Sequence, residues 1–451
     1  MPKFEKVSVI GSGAGGLLTA LGLANRNIKT DIYEMASHIG GRFYSYYVDG
    51  YWVDEGLHVI TRINSGPFIR FLRNNLKRIP KFVPHEGWYF RVYDREDTVP
   101  SSVFKALKWK LVDFSGRIQL LKIGAKIKTM THEKMLHEKD KTFAQYLDEH
   151  NITHKVLRDI LESGLYLATG VPITEASAYE SLMTLKDTDK NEPKLKAIKK
   201  ILFGTNDYDE GYVIGGMGGL LERIVDGIHG EIKTQSKVTQ IDVEDNQVVG
   251  IHVNGEYIPT NYVVSNVPLW SLYKLLHGVD SETMNWFKSY SHMRPTYGLT
   301  IWFGLKKKVL NDRKSRVIVY PRPSAWIVST SAYDPSRAPE GKELVAVATI
   351  LQKGENPKKK AELLKEEVLE KYHPEILKYA EMEHIQHSYA TRAALILGQT
   401  SLDRPGPRTP IKGLYIVGTD TAGKGVGLQH AANSALGAID AITKDMEMQN
   451  Q

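Results

Sequence analysis

The sequence predicts an α/β fold: a parallel sheet of the dinucleotide-binding kind joined to an α+β region with a mostly antiparallel sheet. Three observations predict it. The chain opens on a strand, a glycine-rich turn, a helix and a second strand over residues 7–34. It closes on a strand, a glycine-rich turn and a long alanine-rich helix over residues 414–442. Between them, residues 296–303, 316–320, 325–330 and 343–350 alternate in polarity and are rich in β-branched side chains, the pattern of antiparallel strands.

The opening segment carries the sharpest signal. Val7-Ser8-Val9-Ile10 is short and apolar, enough for one buried strand. Gly11-Ser12-Gly13-Ala14-Gly15-Gly16 follows at once, with glycines at the first, third and sixth places of the dinucleotide fingerprint. Gly11 permits the sharp turn, Gly13 lets a pyrophosphate approach the backbone, and Gly16 lets helix and strand pack closely. Residues 17–25 form the helix, whose N-terminus offers free N–H groups to phosphate. Thr30-Asp31-Ile32-Tyr33 is the second strand, and Glu34 stands 18 residues beyond Gly16, where a carboxylate accepts ribose hydroxyls. A glycine pattern alone is weak evidence. Here the strand before it, the helix after it and the acid beyond it agree on dinucleotide binding.

Composition bounds the rest. The 451 residues are enough for two or three domains, and 42% hydrophobic with 25% charged residues is ordinary for a globular chain. No apolar run reaches the roughly 18–20 residues of a membrane span, and the N-terminus lacks a signal-peptide layout, so an intracellular, cytoplasmic protein is expected. There is no cysteine. Disulfides, thiolate zinc sites, dithiol redox chemistry and cysteinyl attachment of a cofactor are therefore excluded, and no metal site is expected. The net charge of +7 suits an anionic membrane surface or nothing specific, and no nucleic-acid module is visible.

Beyond Glu34 the chain runs from Met35 to Gly40-Gly41-Arg42 and then to Val53-Asp54-Glu55-Gly56-Leu57-His58. The fingerprint, the acid, Gly-Gly-Arg and an Asp-x-Gly-x-His segment together resemble the phytoene desaturase and flavin amine oxidase superfamily. That resemblance implies FAD as cofactor, with Gly40, Gly41 and Arg42 against its pyrophosphate and flavin end and Met35 beside the acid. Leu57 and His58 either contact the cofactor or fill core positions.

Residues 212–219 bring the chain back, followed by a helix at 220–228, a strand at 231–234, a strand from Val238, and a hairpin with one arm at 248–253 and Asn254-Gly255 at its turn. This order resembles the family's return to its cofactor domain, and implies that Val238 meets the adenine end through its backbone. Residues 215–219 are not a second fingerprint, because Leu221 stands where the third glycine is required. Residues 262–266 form another short buried strand. At the C-terminus, the strand 414–417, Gly418-Thr419-Asp420, the glycine turn 423–427 and the helix 429–442 resemble the family's closing signature. By that resemblance Asp420 accepts from the ribityl chain, and Gly427, Leu428 and Gln429 offer N–H groups to the flavin edge that becomes negative on reduction.

The cofactor-binding set is thus Gly11, Ser12, Gly13, Ala14, Gly15, Gly16, Glu34, Met35, Gly40, Gly41, Arg42, Leu57, His58, Val238, Gly418, Asp420, Gly427, Leu428 and Gln429. A Rossmann-type FAD domain is expected at 1–65, 212–275 and 405–451, and a substrate domain at 66–211 and 276–404. In the latter, Pro67 begins a helix and 87–93 is an aromatic strand. Residues 103–135 are helical and basic, with eight Lys or Arg against Asp113 and Glu133. This stretch is either a peripheral contact with the cytoplasmic membrane face, with Trp and Phe in the interface, or a helix pair of the substrate domain with a solvated basic face. Helices are expected at 143–151 and 155–166, with a helix start at Pro172-Ile173-Thr174-Glu175-Ala176. Residues 186–200 and the charged helix 357–373 are expected to be exposed.

These expectations lead to an FAD-dependent, phytoene desaturase-like oxidoreductase taking hydride at flavin N5 from a lipophilic isoprenoid or polyene, as in carotenoid biosynthesis. Amine oxidation or protoporphyrinogen oxidation, redox-neutral polyene isomerisation and flavin binding without turnover remain alternatives. Residues 418–442 hold no Tyr, Trp or Phe, which counts against the aromatic pair that amine oxidases of this kind place around the substrate nitrogen. No catalytic residue, terminal electron acceptor or oligomeric state follows from the sequence.

Overall fold

The computed structural model describes residues 6–56, 59–186, 209–388 and 392–449. Its centre is a five-stranded, wholly parallel sheet in the order Ile232–Lys233, Thr30–Tyr33, Val7–Ile10, Val263–Ser265, Leu414–Ile416. The strands come from the start, the middle and the end of the chain. All four residues of Val7–Ile10 and of Thr30–Tyr33 are buried, because both faces of a parallel sheet are covered.

Side chains alternate between two cores. Val7, Val9, Val264 and Tyr415 face the helices Ala14–Ala24 and Leu428–Gln449, packing with Leu17, Leu21, Ala435 and Ile439. Ile10, Val263, Leu414 and Ile416 face the other way, onto Ile241, Val243, Val248 and Ile251. Those last residues belong to a four-stranded sheet ordered Glu256–Pro259, Gln247–Val253, Val238–Glu244, Leu276–His277. The second face is therefore covered by a sheet and not by helices. Asn254 and Gly255 both take positive φ (51° and 91°), as a two-residue hairpin turn of the I′ kind requires.

A seven-stranded sheet forms the second body of the fold: Ala380–Ser388, Tyr297–Leu305, Glu343–Leu351, Ala325–Ser329, Lys314–Tyr320, Gly87–Val92 and Arg95–Thr98. It is antiparallel except where Lys314–Tyr320 meets Gly87–Val92. One face packs on Ala361, Leu364, Val368 and Leu369, so the charged segment expected to be merely exposed covers a sheet with its apolar stripe. The other face meets the hairpin of Ser45–Val48 and Tyr51–Asp54 through Trp302, Tyr51, Val53 and Tyr212. Val317, Val319 and Phe90 carry the helical insert between residues 109 and 182.

Two further sequence expectations are corrected. Residues 172–176 are a turn, and the helix there is Ala178–Leu185, whose Ser177 Oγ accepts from Glu180 N. A serine cap with an acid three residues on outweighs the earlier proline. The basic stretch 103–135 is three helices, Val103–Leu107, Phe114–Thr129 and His132–Leu136, each stopped and restarted by a cap: Ser102, Asp113 and Thr131. Trp109, which the membrane alternative would place at an interface, is 3% exposed and belongs to the core. The edge strand Ala380–Ser388 has no counterpart in the sequence expectations. The polar stretch expected at 186–200 lies outside the described residues from 187 onward.

Candidate cofactor and active site

The first strand delivers the glycine turn to the carboxyl edge of the parallel sheet, where open α/β sheets bind ligands. The helix Ala14–Ala24 starts there with Gly13 as N-cap, no side-chain cap and no acid in its first turn. Its positive end is therefore left to a ligand, and an anion is the partner such an end favours. At Gly16 an added Cβ would sit 2.3 Å from Gly11 O and 3.2 Å from Val9 Cγ1, so glycine is demanded by helix-on-strand packing.

Glu34 closes one side of the turn. Its Oε2 accepts from Ser12 N (2.8 Å) and Ser12 Oγ (2.7 Å), and its Oε1 from Ala36 N (2.8 Å). Ser12 Oγ in turn accepts from Gly40 N (3.0 Å), which ties the Gly-Gly-Arg motif to the fingerprint. A Cβ on Gly41 would lie 3.7 Å from Gly13 Cα. Met35 is 73% exposed beside this acid. Val238 packs in one cluster with Ile10 and Tyr33, at the same sheet edge.

The C-terminal segment arrives on the other side. A Cβ on Gly15 would lie 3.1 Å from Gly418 N, so the two glycine turns touch. Asn266 stands between them: it would be 2.4 Å from a Cβ on Gly13 and 2.6 Å from one on Gly15. Asp420 is buried, accepts from Leu269 N, and burial raises its pKa. Gly427 ends the glycine turn with φ 58° and Leu428 opens the long helix. The Gln429 side chain is committed to structure, accepting from Phe68 N (3.0 Å) and donating to Thr61 O. His430 faces Thr421 O (2.9 Å) through Nε2 and Gly425 O (3.3 Å) through Nδ1; burial outweighs both carbonyls and lowers its pKa to about 4, so the neutral ring donates to only one of them. Lys424 is exposed. Leu57 and His58 lie outside the described residues.

Arg42 connects this region to the second sheet. Protein surrounds it densely enough to lower its guanidinium pKa to about 10, against the opposing effect of Glu55, yet much of its surface remains accessible. Its position after Gly40-Gly41 places it beside the fingerprint turn, which Gly40 N reaches through Ser12 Oγ. Arg392 is likewise lowered to about 10 by burial, with Arg42 and Arg404 adding repulsion. An uncapped helix end, two touching glycine turns, a carboxylate at the end of the second strand and Arg42 after Gly40-Gly41 fit an anionic dinucleotide.

Glu55 stands where the two sheets meet. Its oxygens accept from Ser388 Oγ (3.2 Å) and Gln386 Nε2 (3.1 Å), both on the edge strand Ala380–Ser388. Gln386 also donates to Tyr46 OH (2.8 Å), which bonds His384 Nε2 (2.8 Å). Burial raises the Glu55 pKa, opposed by Ser388, His38, Arg42 and His387. Sequence reasoning missed Asn266, Gln386, Ser388 and Arg404, and passed over Glu55 as the variable position of its motif. Arg404 donates to the carbonyls of Ala393, Ala394, Gln399 and Thr419, bracing the loop onto the C-terminal segment.

The helix Gly216–Val225 offers no second phosphate site. Its N-terminal groups are already taken: Gly215 N by Asp334 (2.7 Å), Met217 N by Asp54 (3.1 Å) and Gly218 N by Ser45 Oγ (2.7 Å). Among the described residues there is no cluster of metal-binding side chains, and no helix is long and apolar enough to cross a membrane.

Fold and site together define a flavin-dinucleotide oxidoreductase. The model of the flavin containing amine oxidoreductase family matches residues 14–443, and the chain belongs to that family, with FAD as its cofactor. Among curated relatives, a 4,4'-diaponeurosporene oxygenase of Staphylococcus haemolyticus is 23% identical over 400 residues, covering 76% of this chain and 74% of the relative. Among solved structures, an oxidoreductase from Methanosarcina mazei superposes with a TM-score of 0.77 at 20% identity, over 96% of this chain and 100% of the other. A putative protoporphyrinogen oxidase from Exiguobacterium sp. 255-15 gives 0.69 at 14% identity, over 98% and 99%. Likenesses at such identities carry the fold.

Proposed function

We propose that this oxidoreductase removes two electrons from a lipophilic isoprenoid or polyene at carbon, as a desaturase does. The observation that carries the reading is the relative named as a diaponeurosporene oxygenase, which aligns over three quarters of the chain. The absence of Tyr, Trp and Phe from residues 418–442 supports it against amine oxidation.

Bound FAD would supply the acceptor for one hydride, which carries both electrons. The chain's own groups bind and position. The helix end at Ala14 and Arg42 hold negative charge, Glu34 and Asp420 hold hydroxyl groups, and Arg404 keeps the loop at residues 393–404 closed over the C-terminal segment. Desaturation also releases a proton from the neighbouring carbon. Glu55 is the group proposed to receive it at a carboxylate oxygen, since a carboxylate with a raised pKa holds a proton better than an ordinary one.

The test is anaerobic mixing of the holoprotein with polyenes in liposomes, followed by visible spectroscopy and mass analysis. Bleaching of the flavin with a product two hydrogens lighter is expected. Bleaching by amines alone would move the activity to amine oxidation, and a product of unchanged mass would make it an isomerase.

A further inference from the structure

We infer that the helix Val103–Leu107 and the start of the helix Phe114–Thr129 form a docking surface for an anionic phospholipid bilayer. The inference stands on this surface and is independent of the substrate proposed above. Four large apolar side chains project from it: Phe104 (58% exposed), Leu107 (37%), Phe114 (69%) and Ile118 (45%). They are not a failed core. The same stretch buries Trp109, Leu111, Val112, Ile123 and Ile127 and so already supplies its packing. Arg117 joins the two helices by donating to Leu107 O (3.1 Å), Trp109 O (2.8 Å) and Val112 O (3.2 Å), which keeps Leu107 beside the start of the second helix.

Charge selects the partner. Lys105, Lys108, Lys110 and Lys122 are exposed around these side chains. Three of them, Lys105, Lys108 and Lys110, line a surface cleft of about 330 Å³ together with Phe104, Pro100 and Asp97. Asp97 offsets only one of the three charges; it is held in place by accepting from Lys110 N (3.0 Å) at Oδ2 and from Thr98 N (2.8 Å) at Oδ1. Asp113 caps the second helix by accepting from Gly116 N (2.9 Å) and faces His154 (3.3 Å), and it is not among the residues that line the cleft. A cleft of ammonium groups edged by protruding Phe and Leu matches a phosphate headgroup above an acyl layer. Lysines gather anionic lipid while the apolar side chains enter the interface. An acidic protein would use the lysines and leave four apolar groups in water. A second copy of this chain would bring like charges together.

The experiment is co-sedimentation of the holoprotein with sucrose-loaded vesicles of phosphatidylcholine, alone or with about 30% phosphatidylglycerol. Binding to the anionic vesicles only, weakened by salt, is expected. Lys105→Glu/Lys108→Glu/Lys110→Glu should weaken it by about tenfold or more, and Phe104→Ser/Phe114→Ser should weaken it while leaving the salt dependence in place. Flavin absorbance and circular dichroism confirm that both variants are folded. Anionic vesicles bound equally well by wild type and both variants, or not bound at all, would overturn the inference. So would a dimer in sedimentation velocity that Phe104→Ser/Phe114→Ser dissolves, which would make this face a contact between copies.

Discussion

At the scale of single residues, two carboxylates have separable duties. Glu34 accepts three hydrogen bonds at the turn, from Ser12 N, Ser12 Oγ and Ala36 N. Glu34→Ala leaves those donors open and removes the acceptor for ribose. The variant is expected to bind FAD at least about tenfold more weakly, read by equilibrium dialysis of flavin absorbance, since charge-assisted hydrogen bonds are the strong ones. Glu55 is different: it bonds to the edge strand and its pKa is raised by burial. Its carboxylate form grows as pH rises through that raised pKa, so turnover should rise on the acid side of the profile. Glu55→Gln should keep normal FAD content, lose about 10²- to 10⁴-fold in kcat, and lose that acid limb. A variant with wild-type kcat and pH profile would remove Glu55 from the chemistry.

At the scale of elements, two glycines make opposite predictions. Gly16 lies where the first helix crosses the first strand, and an added methyl would sit 2.3 Å from the Gly11 carbonyl oxygen. Backbone there has nowhere to go, so Gly16→Ala should cost about 1–3 kcal/mol and loosen FAD. Gly124 sits inside the helix Phe114–Thr129 with nothing within 4 Å of an added Cβ. Gly124→Ala should stabilise by about 0.5–1 kcal/mol, because only unfolded-state entropy and helix propensity change. Urea denaturation of both variants checks the pair. The same residue type is thus a packing necessity in one helix and a removable weakness in another.

For the whole molecule, the contact between the sheets rests on a buried charge network. Asp54, fully buried, accepts from Arg337 (2.8 Å), Met217 N, Ser45 Oγ and Tyr212 OH, while Arg337 is 3% exposed. Arg337→Ala strands that carboxylate. The expected loss is about 3–5 kcal/mol in global denaturation, because an unpaired buried charge is costly. Global stability should also depend on pH through His430. Its folded pKa of about 4 lies below the ordinary imidazole value, so between about pH 6.5 and 4 the unfolded chain binds a proton that the folded one does not. Stability from this group is full above pH 6.5 and is lost on acidification. His430→Gln should narrow the stability gap to wild type by about 1.4 kcal/mol per pH unit across that window. A constant gap would show that His430 is not held neutral.

What the sequence by itself determined is the local chemistry. The run Val7–Ile10, the glycine turn, the helix and Glu34 are contiguous, so turn geometry and spacing specify them before any long-range contact forms. The same holds for the Asn254-Gly255 hairpin and for the C-terminal strand and helix. Local signals also misled where a stronger neighbour competed. The proline at 172 yielded to the Ser177 cap, and the basic stretch divided at Asp113 and Thr131. Tertiary structure alone decided which distant residues meet. Asn266 reaches the two glycine turns because its strand lies between the first and last strands of the parallel sheet. Gln386 and Ser388 reach Glu55 from more than 300 positions away, on a strand with no simple periodicity. Exposure of Phe114 and burial of Trp109 were equally invisible, since both are aromatic residues in one basic stretch. Cofactor recognition uses backbone conformation, which short-range sequence encodes. Proton handling and surface use depend on side chains that only the folded sheets bring together.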